Sequence, residues 1–243
     1  MISLRYRINN SKKVKKFSCP TSMAEMSSVQ LTFFYKFLMG EENKQYAIVP
    51  IMWQLPLKDL ALMDEEQRHL LLHTFLDNLD HSGSYFIENY DGLVAPATGM
   101  KTATWEQYYL AHHYLEAYKE TKDNTSFHKF LATLYTPLGE AFNANQIENN
   151  YSRFRIAHAG FCFGAMLAFG AITENLKKRF PQVFSKPALG IATTSTPKSN
   201  WLEVSLSMCD NDPVRLTQLN QQNMYLVLKA MDQKLKTQTP TVK

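Results

Sequence analysis

The sequence predicts a mainly α-helical protein, a multi-helix orthogonal bundle preceded by a small N-terminal β hairpin. Three observations predict it. Apolar residues recur at helical spacing through most of the chain beyond residue 27. A Ser, Asp or Thr stands three residues before a Gln where such runs begin, at Ser27/Gln30, Asp64/Gln67 and Thr104/Gln107. Clear period-two alternation is confined to the first residues, Ile2–Ile8.

The hairpin comes first. ISLRYRI alternates apolar and polar side chains, and VKKFS returns after the turn-like NNSKK. Arg5, Arg7, Lys12, Lys13, Lys15 and Lys16 give residues 1–18 a charge of +6 with no acid, so with a net charge of +4 the remaining 225 residues sum to −2. The chain therefore reads as a basic N-terminal β arm over 1–18 and a helical domain over 19–243, with a flexible polar linker, ALGIATTSTPKS, at 188–199.

The first helix opens at Ser27 and Gln30, carries VQLTFFYKFLMG and stops at Gly40. YAIVPIMWQL is apolar but broken by Pro50 and Pro56, which predicts short helical pieces. Asp64 and Gln67 open a helix with Leu72, Phe75, Leu76 and Leu79 on one face. HSGSYFIENYDGLVAPATGMKT, rich in Gly and Pro, predicts a loop or short hairpin and is the best place for a boundary or a functional loop. Thr104 and Gln107 open WEQYYLAHHYLEAYKE, with Trp105, Tyr108, His112 and Leu115 on one stripe. SFHKFLATLYTPL turns Phe127, Phe130, Leu131 and Leu134 inward and should end at Thr136, before Pro137.

A long helical region is expected from about Glu148 to Arg179, closed by Phe180 and Pro181. Its uncharged core, Ala159–Ile172, is fourteen residues, and at about 1.5 Å each these fall short of a bilayer core of roughly 30 Å. It reads as a buried helix in which Gly160, Gly164, Ala165 and Ala168 allow close contact. Ser199 or Asn200 should cap a helix that buries Trp201, Leu202, Leu206 and Cys209, and Asp212 should cap the next, with Pro213 in its first turn. A last helix carries Tyr225, Leu228, Met231 and Leu235. The count is seven to nine helices, little sheet and no internal repeat.

Composition narrows the chemistry. With 45% hydrophobic and 12% aromatic residues the chain is globular rather than disordered. Cys19, Cys162 and Cys209 are odd in number and far apart, which argues against a disulfide framework or zinc spacing and for packed free thiols in a reducing compartment. No apolar signal core stands near the start, so secretion is not expected. His69 and His73 lie at i, i+4 near Glu65 and Glu66, the spacing of a metal pair. The Glu of HExxH and a third ligand are missing, and polar surface histidines are the preferred reading. His112 and His113, being adjacent, point roughly 100° apart on a helix and do not face one ion.

No phosphate-binding Gly motif and no nucleophile elbow is present, so no catalytic, cofactor-binding or metal residue is assigned. Asp77, Asp80, Glu88 and Asp91 bracket the Gly- and Pro-rich stretch and carry the alternative reading, a hydrolase with paired acids. Arg5, Arg7, Lys12, Lys13, Lys15 and Lys16 are the candidate contacts for phosphate or nucleic acid, with Tyr6 and Phe17 among them. The preferred reading of the arm is a solvated, charged edge that resists aggregation.

Four stretches, in order, carry a resemblance. FSCPTSMAEMSSVQLTFFYKFL resembles a family opening in which a strand precedes a Pro-x-Ser-Trp turn, an acid, a Ser/Thr cap and a Gln-led helix. Pro20, Ser22, Glu25, Ser28 and Gln30 match it, and Met23 stands in place of the Trp. The segment 102–137 resembles the family's aromatic helix, acidic turn and following helix; RFPQVF resembles its Phe-Pro stop; and the segment 200–234 resembles its Trp-led helix, acidic break and final helix, with Ser207 and Met208 where small apolar residues are usual. Over roughly residues 17–236 the chain is similar to small, mainly helical proteins from the tail and virion gene regions of Bacteroidetes phages and prophages, which look like tail-assembly chaperones or virion components. The resemblance implies a non-enzymatic assembly or structural protein without cofactors. Its partners would be tail, connector or tape-measure proteins or further copies of itself, with no membrane and no nucleic acid. It would act in the host cytoplasm or become part of the virion. Trp105, Phe180, Pro181 and Trp201 are then structural anchors.

Overall fold

A computed structural model describes residues 1–7, 14–40, 47–80, 85–184 and 201–238. The hairpin turn with Lys12 and Lys13, the linker at 188–199, and Ser199 and Asn200 as caps lie outside the described residues. The described chain is mainly helical, with the N-terminal hairpin that period-two alternation predicts: β1 (Ile2–Arg7) pairs antiparallel with β2 (Val14–Cys19), Leu4 opposite Phe17. Twelve helices, more than the seven to nine expected, appear among the described residues, because prolines and caps divide the apolar runs more finely.

The chain divides into two compact units. Met1–Asn89 with Ala157–Ala171 make the first, and Tyr90–Ile156 with Ile172–Lys243 the second. The division after Asn89 falls in the Gly- and Pro-rich stretch singled out as a boundary.

In the first unit α1 (Ser28–Leu38) begins with a complete capping box: Ser27 Oγ accepts from the Gln30 N–H, and Gln30 Oε1 accepts from the Ser27 N–H at 3.0 Å. Gln30 is itself buried, and its Nε2 donates to the carbonyls of Ile51 and Met52 at 3.1 and 3.2 Å. Those carbonyls end α2 (Ile48–Met52), where a helix has no following N–H donors of its own. α3 (Leu57–Ala61) follows Pro56, and α4 (Glu65–Asp77) starts on the Asp64/Gln67 box. Trp53 is buried and donates from Nε1 to the Leu71 carbonyl at 3.0 Å, while Phe34 and Phe75 meet edge to face. Leu72, Phe75 and Leu79 are buried as the helical spacing predicts.

The glycines of α8 (Ala159–Arg179), a helix that contributes residues to both units, explain their own presence. A Cβ on Gly160 would lie 2.6 Å from the Thr32 carbonyl oxygen. One on Gly164 would lie 3.0 Å from Cγ of Tyr35 and closer still to Cδ2 and Cε2. Tyr35 has little room to yield, being buried, with its hydroxyl donating to the Tyr85 carbonyl at 2.8 Å. At 21 residues α8 exceeds the fourteen-residue apolar run and is long and apolar enough, by length and composition alone, to cross a membrane. Half of its apolar window is buried inside the protein.

In the second unit α5 (Trp105–Thr121) is capped by Thr104, whose side chain accepts from the Gln107 N–H. Lys122 takes a left-handed conformation, and Asp123 then caps α6 (Asn124–Leu134). Gln107 repeats the device seen at Gln30: it is buried, and its Nε2 donates to the carbonyls of Thr133 and Leu134 at 3.0 and 3.3 Å, the last of α6. Helix α6 ends there rather than at Thr136. Tyr135 turns extended and buried, and Thr136–Pro137 becomes β5, paired antiparallel with β4 (Leu93–Val94). β3 (Asn89–Tyr90) leads to β4 through Asp91 and Gly92, both at positive φ, the conformation that favours an Asp-Gly hairpin turn.

The single helical region expected over 148–179 is broken. α7 (Gln146–Asn150) gives way to a tight 3-10 stretch, Tyr151–Ile156, before α8 begins. The stretch buries Phe154, whose ring stacks on Tyr90 at 5.0 Å. α9 (Pro181–Phe184), α10 (Trp201–Met208), α11 (Pro213–Gln221) and α12 (Met224–Gln238) complete the unit. Two expected core positions are exposed: Leu202 at 44% and Leu235 at 39%.

The glycine contacts make a paired test. Gly164→Ala should lower stability by about 1–3 kcal/mol through overpacking against Tyr35. Gly170→Ala, on the same helix with open space around its Cα, should be neutral or stabilising by up to about 1 kcal/mol. Urea denaturation of the two variants reads the difference, and equal effects would show that the Tyr35 contact does not set the fit.

Candidate functional site

The basic arm is partly consumed by the fold. Lys15 Nζ lies 2.6 Å from Oδ2 of Asp59, a carboxylate with only 3% of its side chain exposed. Removing the lysine would leave a buried charge without its partner. The chain amine bonds Glu25 and Thr21 at the other end of the hairpin. Arg5 and Lys16 sit directly opposite each other on β1 and β2, and both are exposed. They form a small positive face, and like charges directly opposite on a strand pair are destabilising. Arg7 lies in β1, and Lys12 and Lys13 lie outside the described residues.

The four acids of the hydrolase alternative are all exposed. Asp77, Asp80 and Glu88 belong to the first unit and Asp91 to the second. Asp91 is held by Arg153, whose Nε donates to its carboxylate at 2.8 Å and whose Nη2 bonds its carbonyl.

His69 and His73 do come together. Both are exposed on α4, and their Nε2 atoms lie 3.1 Å apart across rings 4.2 Å between centroids. They face an open groove of about 490 Å³ whose described lining is Glu65, Glu66, His69, Leu70 and His73. Among the described residues no three His, Cys, Asp or Glu side chains converge as a metal cluster. His112 and His113 diverge as expected: His112 faces Trp201 and Tyr108, while His113 faces Tyr114.

The aromatic anchors meet in the second unit. Trp105 and Trp201 pack edge to face at 5.4 Å, and Phe184 meets Trp201 at 5.5 Å. Ser205 joins the two tryptophans: its hydroxyl accepts from Trp105 Nε1 at 2.8 Å and donates to the Trp201 carbonyl at 2.7 Å. Sequence reasoning missed Ser205, because a serine in an amphipathic helix reads as solvent-facing. It also missed Asp232, which is buried, accepts from the Gln182 N–H at the start of α9 and pairs with Lys236 at 2.6 Å. Phe180 is buried against Tyr225, and the Arg179 guanidinium lies over both rings, while Pro181 is exposed at the start of α9.

Titratable groups in this unit are shifted by burial. Glu106 is raised, chiefly by desolvation, with the Asn220 amide opposing. Tyr109, which shares that amide, is pushed up to about 12. The thiols of Cys19, Cys162 and Cys209 are free and all raised by desolvation, the first to about 12 and the second to about 11, as packed and unreactive cysteines are.

Comparison of the chain with protein-family models, with curated proteins and with solved structures gives no match.

Two outcomes follow from the aromatic cluster. Trp201→Ala should cost roughly 3–5 kcal/mol in urea unfolding, as expected for a buried indole. Trp201→Phe should cost far less, since the indole N–H meets no acceptor among the described residues. A near-zero cost for Trp201→Ala would move this residue out of the core.

The second outcome concerns His112, whose imidazole is held below its usual range, first by burial and then by Lys119, Lys177 and His113, with Glu116 opposing. The unfolded chain therefore takes this proton first. The stability that neutral His112 contributes is full above the unfolded value of about 6.5 and is lost as pH falls from there towards the folded value. Thermal unfolding from about pH 7.5 down to about pH 5 should show this decline, and His112→Gln should flatten part of it. His128 is shifted the same way and accounts for a share of the remainder.

Proposed function

We propose that the protein is a phage or prophage tail or virion assembly protein that works through protein–protein contacts. The observation that carries this reading is the set of large aliphatic side chains left in solvent: Leu57 at 75% and Leu70 at 65% exposure in the first unit, and Ile156 at 89%, Leu138 at 78% and Val214 at 64% in the second. Each such side chain gains about 1.5–3 kcal/mol when a partner buries it. The ordered resemblance of four stretches to tail-region proteins supplies the identity of the partners, namely tail, connector or tape-measure proteins.

The test is mass spectrometry of particles purified from a host carrying this gene, together with affinity capture of tail proteins by this chain before assembly. A permanent component should appear in particles at a symmetric copy number. A chaperone should bind a tail protein beforehand and be missing from the finished particle. Absence from particles together with no tail protein captured would overturn the reading. Ile156→Glu and Leu138→Glu should each weaken the captured complex about tenfold, without lowering thermal stability.

A further inference from the structure

The open face of α4 carries chemistry that the assembly reading does not use. His69 and His73 stand one helical turn apart, with their Nε2 atoms 3.1 Å apart. With metal–nitrogen bonds of about 2.05 Å, that separation corresponds to a bite angle of about 98° at a shared ion. The value lies between the roughly 90° of square-planar and the roughly 109° of tetrahedral sites, the geometries that Cu²⁺, Ni²⁺ and Zn²⁺ adopt with imidazole. Without an ion, one Nε2 carries a proton and donates to the other. With an ion, that proton moves to Nδ1 and both Nε2 lone pairs become ligands.

The surroundings suit a cation. Glu65, His69 and His73 follow at i, i+4, i+8 along one stripe, and Glu66 lines the same groove, so two carboxylates stand by the chelate. Both histidines are exposed, so ion entry needs no opening of the fold. We propose that His69 and His73 form a two-point chelate for one divalent transition ion of the Cu²⁺, Ni²⁺ or Zn²⁺ type. Its remaining positions are filled by water, since no third protein ligand converges among the described residues. Imidazole selects these borderline ions over Mg²⁺ and Ca²⁺, which take oxygen ligands, and the affinity order follows Cu²⁺ above Ni²⁺ and Zn²⁺.

The test is isothermal titration of the full, untagged chain with CuCl₂, ZnCl₂ and MgCl₂, alongside His69→Gln, His73→Gln and the double variant. All of these replace exposed side chains and leave the helix intact, which circular dichroism verifies. The expected result is one Cu²⁺ per chain, weaker Zn²⁺ and no Mg²⁺. Loss of a mere outer partner of a metal-bound histidine costs about 10–100-fold, so each single variant should weaken Cu²⁺ by at least about tenfold and the double variant should abolish this site. No Cu²⁺ binding by the parent chain, equal binding of Mg²⁺, or unchanged binding by the double variant would overturn the proposal.

Discussion

A helix that ends inside a protein leaves its last carbonyl oxygens without donors, and burying them unpaired is costly. Two glutamines meet this constraint, one in each unit. Gln30 and Gln107 are both the third residue of their helix, both are buried, and each spreads its Nε2 hydrogens over the last two carbonyls of a neighbouring helix. The backbone of each is tied to the cap that starts its own helix. One side chain therefore fixes where one helix begins and where another stops. Much of the rest follows: the end of α6 at Leu134 frees Tyr135 to turn extended, and that turn delivers Thr136–Pro137 to β4.

Packing around these clamps is aromatic and tight. In the first unit Trp53, Phe34 and Phe75 fill the space beside α1, and α8 approaches closely enough that Gly160 and Gly164 leave no room for a methyl group. In the second unit Trp105 and Trp201 are joined through Ser205, and Asp232 supplies a hydrogen bond to the first turn of α9. These buried polar groups are paired, so they limit the alternatives open to the core as well as stabilising it.

The surface divides by chemistry. The hairpin presents Arg5 and Lys16 to solvent, while Lys15 is drawn inward to Asp59. The proposed assembly role rests on exposed aliphatic side chains and the proposed ion site on an exposed histidine pair; Leu70, one of those aliphatic side chains, lines the groove beside the histidines. The acids of the hydrolase alternative are exposed and fall in both units, and Asp91 is held by Arg153.

Local signals determined what local physics controls. Capping boxes at Ser27 and Asp64, the Thr104 cap, the Asp212 cap with Pro213 behind it and the alternation of Ile2–Arg7 all appear where the sequence places them, because each depends on residues within a turn of one another. One of the three points where the chain passes between units, after Asn89, lies in the Gly- and Pro-rich stretch, while those after residues 156 and 171 carried no such local signal. The tertiary structure alone decided what depends on distant partners. The break of 148–179 at the buried Phe154 and the burial of Ser205 and Asp232 follow from partners far away in the chain, and Leu202 and Leu235 are left exposed although their helical spacing predicts burial. The candidate site divides the same way. The i, i+4 spacing of His69 and His73 was legible in the sequence, but a spacing puts two rings on one face without orienting them. Only side-chain torsions bring the two Nε2 atoms within 3.1 Å of each other.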